Sequence, residues 1–253
     1  MKTALRHLMH HLLRVAALAA LGVLVLQLTF AVRILAMRWV DPVSTTFQRS
    51  EAWRLLTTRG QIEWSQQWVD AGRISVHLQR AVIASEDAAF ASHTGVDWAA
   101  LEKAWDRNQR AQARAEARAQ QQPPGGRKAE PKVVGGSTIT QQLAKNLFLS
   151  GERTVLRKAQ EFVITLMLEA LLPKRRILEI YLNSVEWGEG LFGAQAAARH
   201  YFRIDAQRLG VEQAARLAVM LPAPKRFEKR PASEYVISRS ATIAARMGAV
   251  ELP

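Results

Sequence analysis

The sequence predicts an all-α protein with a single membrane-spanning helix at its N-terminus. Three observations carry this. An uncharged run, VAALAALGVLVLQLTFAV, fills positions 15–32. Beyond Leu78, apolar residues recur at three- and four-residue steps, and no run alternates convincingly as a strand would. Proline and glycine fall between the periodic segments, at Pro173, Pro222 and Pro224 and in the loop holding Gly188, Gly190 and Gly193.

The uncharged run is long enough to cross a hydrocarbon core as a helix, and apolar residues resume after Arg33 through Met37. The expected span is therefore 15–37. Lys2, Arg6 and Arg14 precede it, so the positive-inside rule places 1–14 in the cytoplasm, although Arg33 and Arg38 flank the other end. A cleaved signal peptide is the rival reading. Against it, the run exceeds a usual signal core, and no clean A-x-A site follows. The expectation is a single-pass inner-membrane protein with its globular part on the periplasmic face.

Composition narrows the partners. Lys and Arg outnumber Asp and Glu by 35 to 22, for a formal charge of +13 and a pI near 10.8. Such a balance fits nucleic acid, anionic lipid or another phosphate-bearing partner. A globular part outside the cytoplasm, against a membrane, turns the choice from nucleic acid to lipid-linked phosphate. There is no cysteine, which excludes disulfides, thiolate zinc sites and a cysteine nucleophile.

Positions 38–76 read as a membrane-proximal linker. Trp39, Trp53, Trp64 and Trp68 lie there, as interfacial aromatics or as ordinary core residues. Helices are expected at 77–90, 97–120, 138–149, 154–172, 174–184, 190–200, 210–220 and 233–247. They form one domain, 77–247, with a tail at 248–253. The stretch 107–132 is basic, low in complexity and rich in Gln, Ala and Arg. Its first half reads as an exposed helix and its second half as a mobile loop. A lid over a phosphate site and a solvated insertion both fit.

Four constellations bear on chemistry. Leu78, Val82, Glu86 and Phe90 fall at four-residue steps, which puts a carboxylate on an apolar helix face. Desolvation there raises its pKa and prepares a general base; a cap or an ion pair is the alternative. Asp87 adjoins it. In 156–173, Arg157, Glu161, Thr165 and Glu169 make a polar seam along an otherwise apolar helix expected in the core. A solvated stripe is the alternative. Lys145, Arg153, Arg157 and Lys158 surround Glu161 with cations, which keep a carboxylate ionised and a poor proton donor.

The third constellation is GGSTITQQLAKN, 135–146. Thr138 and Gln141 match a capping box, with Ser137 as a second cap candidate, so a helix start offers free N–H groups to an anion. Gln141 shares a face with Lys145, and Gln142 with Asn146. No Walker Gly-Lys-Ser/Thr follows, which speaks against nucleotide. The fourth, KRRILEIYLN at 174–183, opens with three cations and turns Ile177, Leu178 and Tyr181 to the core, with Asn183 near its end.

Taken in order, EDAAFASHTG (86–95), GGSTITQQLAKN (135–146), RKAQE (157–161), KRRILEIYLN (174–183) and EQAARLAVMLPAPKRF (212–227) resemble the glycosyltransferase family 51 peptidoglycan polymerases, most closely their monofunctional biosynthetic type. WGEGLFGAQAAARHYF (187–202) is similar to the family's sequence between the last two blocks. The resemblance implies a lysozyme-like, bilobed helical fold with a membrane-associated jaw lobe. It implies polymerisation of lipid II into β-1,4 glycan with inversion, and release of undecaprenyl diphosphate. Carried over by position, Glu86 is the general base and Glu161 the second essential carboxylate. Glu161 organises the leaving group, with a divalent cation, magnesium or manganese, as a candidate cofactor.

Ser137, Thr138, Gln141, Gln142, Lys145, Asn146, Arg153, Arg157 and Lys158 become the expected diphosphate and sugar contacts. Asp87, Phe90, His93, Gly95, Gly135, Gly136, Glu179 and Asn183 become supporting positions. Lipid II, the growing lipid-linked glycan and the membrane are the expected partners. No S-x-x-K occurs, so transpeptidases and other cell-wall synthesis proteins are expected to supply cross-linking. The 107–132 insertion departs from the family in length. A muramidase or lytic transglycosylase is the first rival and a non-catalytic scaffold the second.

Overall fold

The computed structural model describes residues 2–120, 136–152 and 154–253. Eleven α-helices and three short strands make up its regular elements: α1 Lys2–Ala36, α2 Thr46–Arg59, α3 Val76–Glu86, α4 Trp98–Gln120, α5 Ile139–Phe148, α6 Val155–Leu171, α7 Lys174–Ser184, α8 Ala194–Phe202, α9 Val211–Met220, α10 Pro224–Phe227 and α11 Glu234–Arg246, with β1 Ser65–Gln66, β2 Glu186–Gly188 and β3 Leu191–Phe192.

Helix α1 contains an apolar stretch, Met9–Ala36, of 28 residues and mean hydropathy 2.4, long enough to cross a bilayer. It begins six residues before the expected span. Its far end is seated in the globular part, where Ile34 is fully buried and Met37 nearly so. Arg176 donates to the Met37 carbonyl at 2.8 Å and pairs with Asp41 at 2.6 Å.

The remaining helices pack as two lobes. In one, α3, α9 and α11 form a bundle. In the other, α5 is the hub, packed by α2, α6 and α7, with α1 laid along α6. The segment between α3 and α4 joins the lobes. There Gly95 has φ +91°, and a Cβ on it would lie 2.8 Å from Thr165 Cγ2 and 2.9 Å from Glu169 Cγ of α6. Only glycine permits both that backbone and that approach.

Several expectations are corrected. Positions 38–76 hold a 14-residue helix, α2, with a Thr45–Gln48 capping box and Gly60 at its C-terminus. Its inward face buries Gln48 and Glu51 beside Leu55, so no apolar period marks it. Trp39 and Trp53 are exposed, Trp64 stacks on Phe192 at 4.5 Å, and Trp68 packs against the core under Arg176. Helix α3 ends at Glu86, so Phe90 lies in the following turn and not on the face of Glu86. The segment expected to be helical from 190 is strand to Phe192 and turns at Gly193 into α8.

The strands escape a periodicity reading because each has two or three residues and their partners are remote: β1 pairs parallel with β3, and β2 antiparallel. Helix α4 covers the first half of 107–132, as expected. The second half, read as a mobile loop, lies outside the described residues.

Helix α6 overturns the largest expectation. Its buried residues are Glu161, Ile164, Thr165 and Leu168, so the polar seam faces inward. Val155, Leu156, Phe162, Val163 and Leu166 are exposed instead. Trp98, Leu101 and Trp105 of α4 extend the same apolar surface, with Trp98 and Phe162 in ring contact at 6.5 Å. Each such side chain gains about 1.5–3 kcal/mol on leaving water. With α1 packed along α6, these side chains form an exposed apolar belt on one side of the lobe.

Candidate active site

A cleft of about 710 Å³ runs between the lobes. It is lined by Ser85 and Glu86 from α3, Ser137, Gln141, Gln142 and Lys145 from α5 and its start, Arg157, Lys158 and Glu161 from α6, and Val219, Leu221, Pro222, Tyr235 and Arg239 from α9, α11 and the turn between them. A second cavity of about 290 Å³ lies on the other side of Glu86 and shares Ser85, Glu86 and Ser137 with the first. Asp87, Asp97, Arg107, Gly136 and Thr138 help line it.

Glu86 is the last residue of α3, pointing from the end of an apolar helix into the wall common to both cavities. Burial pushes its pKa above the ordinary carboxylate value, and the neighbouring Asp87 adds to this. Hydrogen bonds from Gln142 and Ser85 oppose it. Gln142 Nε2 donates to Glu86 Oε2 at 3.0 Å. Gln142 Oε1 in turn accepts from the Tyr181 hydroxyl at 2.9 Å. Tyr181 is fully buried, and desolvation raises its pKa well above the normal phenol value, so it stays a donor. The phenol thus dictates which way the Gln142 amide faces.

Asp87 has no such freedom. One oxygen accepts from the Ile139 N–H at 3.0 Å and the other meets His93 Nε2 at 2.8 Å. His93 Nδ1 accepts from Gly95 N–H at 3.1 Å, which leaves the ring proton on Nε2. Phe90 is fully buried, with the Lys174 ammonium 4.5 Å above its ring. Asp87, Phe90, His93 and Gly95 therefore lock the turn after α3 onto the start of α5 and onto α6. Glu86 is the residue of this block that lines the main cleft.

At the start of α5 the capping box forms as expected: Thr138 Oγ1 accepts from Gln141 N–H, and Gln141 Oε1 accepts from Thr138 N–H. Such a cap is worth ~1 kcal/mol. Thr138 Oγ1 also donates to the Gly95 carbonyl at 2.7 Å, so this buried side chain is occupied by structure. Ser137 is exposed and borders both cavities. Asn146 is buried and does not line the cleft, unlike Gln141, Gln142 and Lys145.

The floor of the cleft is cationic. Glu161, 3% exposed, accepts from Arg157 Nη1 at 2.7 Å and from the Lys158 ammonium. A lone buried carboxylate costs several kcal/mol, so a cationic partner is required, and of the two present the more buried Arg157 is the costlier to lose. Lys145 reaches solvent by area, yet protein crowds it. Desolvation pulls its pKa below the usual lysine value, with Glu161 opposing and the Arg157 and Lys158 charges adding. The rest of the α6 seam is equally engaged: Thr165 bonds the Glu161 carbonyl, and Glu169 accepts from Thr140 and Lys174.

Glu179 and Asn183 are elsewhere. Asn183 brackets Val69, accepting from its N–H and donating to its carbonyl; Glu179 accepts from Ala71 N–H and pairs with Arg176. They staple the segment before α3 to α7. Gly135 and Arg153 lie outside the described residues. The cleft also holds Tyr235, Arg239 and Ser85, and it depends on Tyr181; sequence reasoning assigned none of them a role. Tyr235 and Arg239, four apart on α11, were legible as an aromatic and a cation on one helix face.

For a divalent cation the donor set is poor. Among the described residues no three acidic or histidine side chains converge, and both oxygens of Glu161 already face cations.

A desolvated carboxylate over a bed of cations fits group transfer from a phosphate-bearing donor. Residues 54–248 match the profile of the transglycosylase family. The chain is 50% identical over 238 residues to the biosynthetic peptidoglycan transglycosylase of Burkholderia multivorans, covering 94% of this chain and 89% of that protein. It is 51% identical over 227 residues to that of Burkholderia thailandensis, covering 90% and 82%. It is 48% identical over 238 residues to that of Paraburkholderia xenovorans, covering 94% and 91%. With the match spanning both lobes and every wall of the cleft, the chain belongs to the transglycosylase family.

Proposed function

We propose that this protein polymerises lipid II into β-1,4 glycan, with Glu86 as general base. The observation that carries the mechanism is the position of Glu86, desolvated on the wall shared by two cavities of which one is floored by cations. The donor, the growing strand on its diphosphate, lies in the larger cleft with the diphosphate against Lys145, Arg157 and Lys158. The acceptor sugar enters the smaller, acid-lined cavity. Its 4-hydroxyl gives its proton to Glu86 as the oxygen forms a bond to C1 of the donor muramyl unit. The bond from C1 to the diphosphate breaks on the opposite side, so the α linkage becomes β.

Glu161 acts through its partners, holding Arg157 and Lys158 where the departing charge develops. That preorganised pair meets the diphosphate directly. Lys145, desolvated and short of counter-charge, is restored toward its normal basicity when the anion binds. Arg153 is assigned to the same diphosphate by its place in the family pattern.

The setting follows from α1 and the apolar belt. Lys2, Arg6 and Arg14 support a cytoplasmic N-terminus and a catalytic domain on the periplasmic face of the inner membrane, where a lipid-linked substrate presents its diphosphate at the headgroup level. Transpeptidases are the partners that would cross-link the product.

Purified full-length protein, given lipid II and separately finished glycan, tests the reading. Polymer should form from lipid II, and Glu86→Gln should lower the rate by ~10²–10⁴-fold, the range for loss of a general base. Shortening of finished glycan with no use of lipid II would instead identify a muramidase.

A further inference from the structure

The main cleft does not end at Arg239. Tyr235, 59% exposed, lines it and also lines a separate cavity of about 510 Å³ built on α10 and the start of α11. The walls of this cavity are Arg226, Phe227, Lys229, Arg230 and Ser233, with no acidic residue among them. Phe227 and Tyr235 stack face to face, centroids 5.7 Å apart and planes 3° from parallel. Among the described residues, Arg226, Lys229 and Arg230 have no carboxylate partner. Their neighbour Lys225, by contrast, is engaged by Glu51 and Glu186. The cavity is thus a stacked aromatic pair among cations without carboxylate partners, with the Arg226 guanidinium 5.8 Å from the Phe227 ring centroid, and Tyr235 joins it to the catalytic cleft.

We infer that this cavity binds the growing strand itself, the Phe227–Tyr235 pair lying against a sugar face and Arg226, Lys229 and Arg230 pairing with carboxylates of the peptide carried on a muramyl unit. The inference rests on the polymerase reading above and extends it to the substrate's peptide. A strand whose diphosphate sits at Lys145 and Arg157 extends past α9 toward α11, which brings its older units to this cavity. Apolar ring faces suit pyranose C–H groups, and guanidinium groups suit carboxylates. Anionic lipid is the less fitting ligand, because the exposed apolar belt beside α1 is built on α4 and α6 and not on α10 or α11.

The test uses the full-length protein in detergent and two soluble probes: N-acetylglucosaminyl-N-acetylmuramyl pentapeptide, and the same molecule with every carboxylate converted to carboxamide. The wild type should bind the free-acid probe roughly ten-fold more tightly, as expected for a few exposed ion pairs, and the preference should shrink as salt is raised. The triple variant R226A/K229A/R230A, altered only at exposed side chains, should bind both probes as weakly as the wild type binds the carboxamide. On lipid II it should still polymerise, but release shorter strands. Equal binding of the two probes by the wild type, or a preference that survives in the triple variant, would overturn the inference. So would loss of binding to anionic phospholipid vesicles with probe preference intact, which would make the cavity a lipid site. Probe binding is read without turnover, so a failure to polymerise lipid II would count against the polymerase reading separately.

Discussion

Glu86 owes its chemistry to one neighbour that was assigned a role and one that was not. Its apolar setting was legible in Leu78 and Val82, whose spacing holds in α3. The hydrogen-bond relay that aims it was not, because Tyr181 reads as a core residue of α7 and its partner Gln142 is 39 positions away. Removing the Tyr181 hydroxyl frees the Gln142 amide to turn, and Glu86 loses the bond that favours its charged form. A base must be deprotonated to act, so Tyr181→Phe should move the acid limb of the pH–rate profile to higher pH. It should also cost roughly five-fold in kcat near neutral pH, the worth of one hydrogen bond. A variant with an unchanged acid limb would show that the phenol only packs.

At the scale of elements, α6 is the instructive case. Composition placed it in the core, yet its inward face is Arg157, Glu161, Thr165 and Glu169 with only Ile164 and Leu168 between. Periodicity separates one face from the other but does not say which face meets protein when the alternative solvent is lipid. The same helix is tied to the membrane anchor by a reciprocal amide pair: Gln27 Nε2 donates to Gln160 Oε1 at 2.8 Å, and Gln160 Nε2 to Gln27 Oε1 at 3.0 Å. Phe30 adds an edge-on contact with Phe148 of α5. The anchor is therefore part of the lobe that carries the cationic floor. A double-mutant cycle of Gln27→Leu and Gln160→Leu, read as thermal stability in detergent, should give a coupling of about 0.5–2 kcal/mol. A coupling of zero would mean that α1 is only a tether.

Across the whole molecule, a second buried carboxylate stands apart from catalysis. Glu186 in β2 is 6% exposed and shares Lys225 with Glu51. Burial raises its pKa to about 7, with the Glu51 charge adding and Lys225 opposing. The folded state therefore holds a proton that the unfolded chain releases nearer pH 4.5. The unfolded state binds fewer protons between those values, so stability falls as pH rises through that window. Glu186→Gln should thus raise the melting temperature at pH 8, by the equivalent of ~1–3 kcal/mol, and change it little at pH 4. An equal shift at both pH values would assign the effect to packing instead.

The sequence by itself marked the long apolar N-terminal helix, most of the later helices with two ends misplaced by four residues, the capping box at Thr138 and both candidate carboxylates. These are local properties: a helix, a cap and a hydrophobic run are set by residues within a few positions of one another. Tertiary structure alone decided what those residues face. It turned the α6 seam inward, withdrew Thr138 and Asn146 from the cleft and gave Glu179 and Asn183 to the support of α7. It also brought Tyr181, Tyr235 and Arg239 to the site and paired strands more than a hundred residues apart. Burial and hydrogen-bond partners across the chain depend on which surfaces meet, and no spacing within one segment records that.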